Sequence, residues 1–226
     1  MKGMRLNWPY LLSATLSPMS LLFVVGVLSS GKGLPFALAG GLISMVTIMS
    51  IGEAGGMAWF RFDIKYIDLI ITTATSQIDF MLGEIAGTVI WAIPGLLIYL
   101  AMDLYFNLLS PLALIVTLFV IGLIFISVTS IAFWLSGVVK YSRHVWAFVG
   151  LLSLVMTILP PTFYSYTFLP KPALYALLII PSTSAAIVEQ GVFGISPMNW
   201  WALVVLIIET VAYFMVARHL TKWRDN

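Results

Sequence analysis

Two carboxylates stand where a carboxylate is costly. Glu209 lies near the middle of the apolar run 200–217, and Glu53 lies toward the end of the run 34–57. A charge at the centre of a bilayer costs about 2.5–3.5 kcal/mol on insertion scales, so such a group is protonated, paired with another helix, or facing a pathway. For Glu209 helix pairing and a pathway role both stay open. For Glu53 the expected partner is local, either Arg61 or water at the membrane edge, and both carboxylates are candidate pathway residues. A second set of polar residues is concentrated in one stretch, Arg61 to Glu84, which carries Arg61, Asp63, Lys65, Asp68, Asp79 and Glu84 together with Thr72, Thr73, Thr75 and Ser76. Charges and hydroxyls on an exposed connector can pair with and steer a soluble partner. Other chemistries are excluded. Cysteine is absent, which removes disulfides, a thiol nucleophile and a thiolate metal site. His144 and His219 sit in basic turns and read as surface residues. Ser136 lies at the wrong end of its helix to work with His144 as a nucleophile and base. No glycine-rich loop followed by Lys-Ser or Lys-Thr occurs, so ATP hydrolysis of the P-loop type is not expected in this chain. No catalytic or metal-ligating set emerges.

The elements that must position these groups follow from composition. The chain has 226 residues, 61% hydrophobic and 9% charged, with a mean hydropathy of +1.06. Soluble domains carry about 25% charged residues, so this is an integral membrane protein. The net charge of +2 is too small to suggest a nucleic-acid partner. Long apolar runs, rather than short alternating segments, indicate helices and not a barrel. At about 20 residues per crossing, the chain accommodates six spans within one transmembrane domain: residues 9–29, 34–57, 83–102, 111–137, 145–159 and 200–217. The first is expected to be a retained anchor interrupted at Pro18, with Trp8 and Tyr10 at the interface. Residues 59–82 form a polar loop in which Ile64, Ile67, Ile70 and Ile71 recur at helical spacing, predicting a short amphipathic helix at the membrane surface. Ser76 or Thr75 is placed to cap the next helix. Asp103 and Glu189 are expected at solvated interfaces. Gly52-x-x-x-Gly56 and Gly83-x-x-x-Gly87 are expected to let helices approach closely. Prolines 160, 161, 170, 172, 181 and 197 break up residues 160–198, where a helix of about seven residues is too short to cross; a re-entrant hairpin is expected. Lys2, Arg5, Arg61, Lys65, Lys140, Arg143, Arg218, Lys222 and Arg224 fall on one side and only Lys32 and Lys171 on the other. This predicts cytoplasmic termini, a cytoplasmic polar loop and an extracellular hairpin in a multi-pass protein of the plasma membrane.

With that arrangement, the segment Asp68 to Glu84 resembles the cytoplasmic connection between the second and third spans of ABC type-2 exporter permeases. That family carries there an acidic residue, a leucine-rich helix, a Thr-Pro-x-Ser turn and a Leu-Gly-Lys. Here Thr73-Ala74-Thr75-Ser76 and Leu82-Gly83-Glu84 occupy those places, with Ala74 for the proline and Glu84 for the lysine. The hairpin is also similar: Leu159-Pro160-Pro161, Phe168-Leu169-Pro170 and then Pro181-Ser182-Thr183, against the family's Pro-x-Thr. The resemblance implies an all-α half-transporter with six transmembrane helices and a coupling helix between spans two and three. It implies two partners besides the lipid: a separate ABC ATPase subunit, which would hold the Mg-ATP, and a second six-span permease subunit, identical or related. It assigns the ATPase contact to Asp63, Lys65, Asp68, Thr73, Ser76 and Asp79, and makes this subunit not itself an enzyme. The cargo implied is hydrophobic or amphipathic. Two other classes compete: a proton-coupled secondary transporter working through Glu209, and a membrane scaffold or immunity-type protein that transports nothing.

Overall fold

The computed structural model describes the backbone of residues 8–221, and the side chains at 16 and from 19 onward. The expectations for Lys2, Arg5, Lys222 and Arg224, and for the side chains of Trp8, Tyr10 and Pro18, lie outside what it describes. Described residues are helix or connecting turn, with no strand among them. In chain order the helices are α1 (Trp8–Leu28), α2 (Leu34–Phe62), α3 (Tyr66–Ile71), α4 (Gln77–Tyr105), α5 (Pro111–Val138), α6 (Ser142–Ile158), α7 (Lys171–Leu177), α8 (Pro181–Val192) and α9 (Trp200–Leu220). Four of them, α2, α4, α5 and α9, are long and apolar enough to cross a membrane, and the bent pair α7–α8 makes a fifth if counted as one span. The 17-residue α6 and the stretch Met19–Leu28 of α1 are apolar but shorter. They stand where the fifth and first of the six expected spans were placed.

α2 is the axis of the bundle. It packs against α1, α4, α5, α6 and α8, and nearly all of it from Ala37 to Ala58 is buried. Such a position suits a helix apolar all round, and its small residues let neighbours come close on every side. Two glycines matter most. A Cβ at Gly40 would run into the Thr162 carbonyl, and one at Gly55 would lie 2.5 Å from the Trp146 ring. At Gly56, Gly83 and Gly87 the expected close approaches are not seen. Nothing lies within 4 Å of a Cβ built on Gly83 or Gly87, and at Gly56 only the side chain of Glu53, from its own helix, does. Nor does the Gly55–Gly56 pair end α2, which runs on to Phe62. Helical glycine costs about 1 kcal/mol relative to alanine, and packing against Trp146 offsets that.

Local chemistry sets the other boundaries. Pro35 and Pro111 sit in first turns, where the missing N–H costs nothing. Ser110 caps α5 by accepting from the Ala113 N–H at 3.1 Å. α4 begins at Gln77, where Ser76, one of the two expected caps, closes its first turn.

The segment 160–198 folds back into the bundle. α7 and α8 meet at 118°, and every residue of α8 from Pro181 to Gln190 is buried, against α2, α5, α6 and α9. Irregular backbone inside a membrane protein persists only where its polar groups find partners, and here they do. Ser182 donates to the Met156 carbonyl, Thr183 Oγ1 to the Leu177 carbonyl at 2.7 Å, and Tyr213 of α9 to the carbonyl of Ile179 at the α7–α8 corner. The proline-rich stretch, expected to form a re-entrant hairpin, is a pair of helices broken by a sharp bend.

Candidate functional site

The first candidate region is the exposed connector from Asp63 to Asp79. Asp63 ends α2 with its N–H on the Trp59 carbonyl. Lys65 turns the chain with a left-handed backbone, φ +52°. α3 then runs for only six residues, with Ile67 buried and Ile70 and Ile71 half-buried against the core. Ile64 was expected on the same face but is exposed, since the turn at Lys65 separates it from the helix. Thr72 and Thr73 donate to the carbonyls of Leu69 and Ile70, at 2.7 and 2.6 Å, and close the end of α3. A capping box follows. Ser76 Oγ accepts from the Asp79 N–H at 3.2 Å, and Asp79 Oδ2 accepts from the Ser76 N–H at 3.0 Å, so two otherwise orphaned donors are satisfied. Asp63, Lys65, Asp68, Thr73, Ser76 and Asp79 are all exposed on this one connector. Ser76 and Asp79 are committed to the cap, which leaves Asp63, Lys65 and Asp68 as the outward charges. The connector is tied down: Gln77 Nε2 donates to the Ala217 carbonyl of α9 at 3.1 Å. Beside it the ends of α2, α5 and α9 converge, with Arg61 Nη1 3.5 Å from where a Cβ on Gly137 would lie.

The second region is a set of carboxylates inside the bundle. Glu53 is half-buried and faces Glu84 of α4 closely enough for the two to repel. Arg61 Nη1 lies 3.5 Å from where a Cβ on Gly137 would stand. Glu209 is 9% exposed, and among the described residues neither of its oxygens has a hydrogen-bond partner of good geometry. Ser184 of α8 lies beside it without forming a bond of good geometry.

Asp103 and Glu189, expected to be solvated, are both fully buried. α4 continues past Asp103 to Tyr105, and α8 is inserted rather than interfacial, so both groups end up inside. Thr117 of α5 donates to Glu189 Oε2 at 2.8 Å, while Oε1 and both oxygens of Asp103 have no partner. Tyr99 is buried next to Asp103.

Gln190 is a structural hub that sequence reasoning missed. Its Nε2 donates to the Pro161 and Tyr164 carbonyls at 2.6 and 2.9 Å, and its Oε1 accepts from the Tyr166 N–H and from Ser196 Oγ, both at 3.2 Å. That uses the whole capacity of an amide side chain and holds both arms of the re-entrant segment. Only its place beside Glu189 in a stretch of few charged or amide residues could have flagged it.

Two adjoining recesses flank Tyr213. One, of about 310 Å³, lies along α9 and includes Glu209; the other, of about 300 Å³, is walled by Trp134 and Met156. Among the described residues no group of three or more acidic or histidine side chains could hold a metal ion. No family model, no curated protein and no solved structure matches the chain.

Proposed function

We propose that the chain is the membrane-spanning permease subunit of an ATP-driven ABC exporter, moving a hydrophobic or amphipathic cargo out of the cell. One observation carries this reading. A short helix sits on the end of the bundle with Ile67 buried, Ile70 and Ile71 half-buried and Asp68 exposed, between the caps of two long helices. Asp63, Lys65 and Asp68 offer charge pairing to a soluble ATPase, and α3 between the fixed ends of α2 and α4 can pass a rigid-body push into both. Nucleotide and Mg²⁺ belong to that partner, and a second permease subunit completes the pathway. The basic residues place this connector in the cytoplasm and the α7–α8 hairpin on the outer side. The full set of six crossings belongs to this proposal, with α1 and α6 as the additional two.

Affinity purification of the chain from its native membrane in mild detergent tests it. A P-loop ATPase should co-purify, and the double substitution Asp63→Lys with Asp68→Lys should reduce its recovery at least about tenfold, the equivalent of about 1.4 kcal/mol. Neither residue is part of the Ser76–Asp79 cap, so the fold should survive. Recovery of no ATPase from any membrane preparation would overturn the reading. A second reading, a proton-coupled secondary transporter, is favoured by the unpartnered carboxyl of Glu209. It predicts substrate movement in proteoliposomes driven by a pH gradient without ATP and abolished by Glu209→Gln.

A further inference from the structure

We infer that Asp103 and Glu189 form a proton-binding site, a carboxyl pair that holds one proton between them and fastens the re-entrant α8 to the α4–α5 hairpin. Both side chains are completely enclosed. They come from different elements, α4 and α8, and stand close enough for like charges to repel. One of their oxygens has a donor: Glu189 Oε2 accepts from Thr117 of α5 at 2.8 Å. Among the described residues Glu189 Oε1 and both oxygens of Asp103 have none. Native structures leave few buried polar atoms unpaired, so three of them on two neighbouring carboxyls call for one common cause. A protonated carboxyl is a donor as well as an acceptor. A single proton therefore gives each member of the pair a hydrogen bond to the other.

The surrounding elements supply no basic group to neutralise the pair. α8 packs against α2, α5, α6 and α9. α5 has no ionisable side chain, and α2 has none before Glu53. α6 carries only Arg143 and His144, in its first turn, and α9 carries Arg218 and His219 in its last, both at the α3 end of the bundle. Glu209 and Tyr213 of α9 belong with Ser184 and the α7–α8 corner. On α4, Asp79 and Glu84 stand near its start, and Tyr99 lies one turn before Asp103. Tyr166, beyond Gln190, has its hydroxyl on the Pro197 carbonyl. Lys32 and Lys171, toward the end where the pair lies, are exposed. Repulsion between like charges grows as the dielectric falls, so two carboxyls in such a place share one proton rather than both ionise. The unpartnered oxygens are sealed from solvent, which suits a proton and not a larger cation. Exchange with solution has a short path, because Asp103 is in the last turn of α4, which ends at the exposed Tyr105. Release of the proton to solvent at alkaline pH sets two like charges across the seam between α8 and the α4–α5 hairpin, so the seating of the re-entrant segment follows pH.

The pair needs neither an ATPase nor a cargo, so it stands or falls apart from the exporter reading. The test uses the full chain in lipid nanodiscs at about pH 7, where a solvated carboxyl with a pKa of about 4 is ionised. Infrared spectroscopy reads the C=O stretch of protonated carboxyls, which ionised ones lack. Asp103→Asn and Glu189→Gln should each remove the intensity of one protonated carboxyl. The double variant should remove no more than either, because in each single variant the amide replaces the acid member and leaves its partner ionised. Twice the loss in the double variant would reveal two separate neutral acids, and no loss in either single variant would show that no proton is held; both results overturn the pair. Melting in detergent is a second readout that does without the double variant. From neutral to alkaline pH the wild-type protein should lose stability, since the native pair keeps a proton that the unfolded chain has already released. Asp103→Asn, whose amide goes on donating to Glu189, should lose less over the same range. An equal fall in the two proteins would also overturn the pair.

Discussion

Single side chains in this bundle divide into those that are satisfied and those that are not. Gln190 makes four hydrogen bonds to backbone and hydroxyl groups of the re-entrant segment. Replacing it with Leu strands several buried polar groups at about 1–3 kcal/mol each. Gln190→Leu should therefore destabilise the protein by more than about 3 kcal/mol, seen as a lowered melting temperature in detergent, while Gln190→Glu should keep the accepting half of the network and lose less. Thr117 is the only hydrogen-bond donor seen on Glu189 among the described residues. Thr117→Val keeps the shape and removes the donor, so a loss of about 1–3 kcal/mol is expected in the same assay. A loss of a few tenths would mean that water already serves Glu189. Among the described residues Asp103 has no comparable donor, which fits a group kept for something other than stability.

Elements show how small residues and caps decide geometry. α2 can stand at the centre because its glycines accept other chains at contact distance. Gly55→Ala should push its methyl into the Trp146 ring and cost about 1–3 kcal/mol, the usual range for overpacking. Adding Trp146→Ala to the same chain should recover most of that, since the obstruction is the ring. Failure of the second change to rescue the first would show that Gly55 matters for its backbone alone. At the other end of the polar connector, Ser76→Ala should remove the start of α4 at a cost of about 1 kcal/mol. Hydrogen exchange at the Asp79 amide should quicken as its acceptor is lost. The same substitution should weaken ATPase recovery less than charge reversal at Asp63 and Asp68, because it leaves the outward charges in place.

For the whole molecule the decisive property is sidedness. The ends of α2, α5 and α9 meet around Arg61, Gly137 and Thr221, beside α3, and α7, α8 and the start of α9 lie toward the opposite end, around Tyr166 and Pro197. The chain has no cysteine, so single cysteines introduced at Asp68 and Lys171 can be labelled without background. In sealed right-side-out vesicles an impermeant maleimide should react with Lys171→Cys and spare Asp68→Cys until the membrane is opened. Labelling of both from outside would remove the basis for an ATPase contact at α3.

Composition and periodicity by themselves determined the membrane class, the helical architecture, the polar connector, a hydroxyl cap at Ser76 or Thr75 and the broken course of the proline-rich segment. Each rests on neighbours in the chain: apolar runs of sufficient length, a hydroxyl three residues before a carboxylate, prolines too closely spaced for a crossing. Tertiary structure decided what depends on residues far apart. It buried Asp103, Glu189 and Glu209, brought Glu53 near Glu84, and put the close approaches at Gly40 and Gly55 rather than at Gly56, Gly83 and Gly87. The physical reason is that the environment of a side chain is supplied by other helices. Only packing brings α8 back among them, and with it the enclosed surroundings of Glu189 and Gln190.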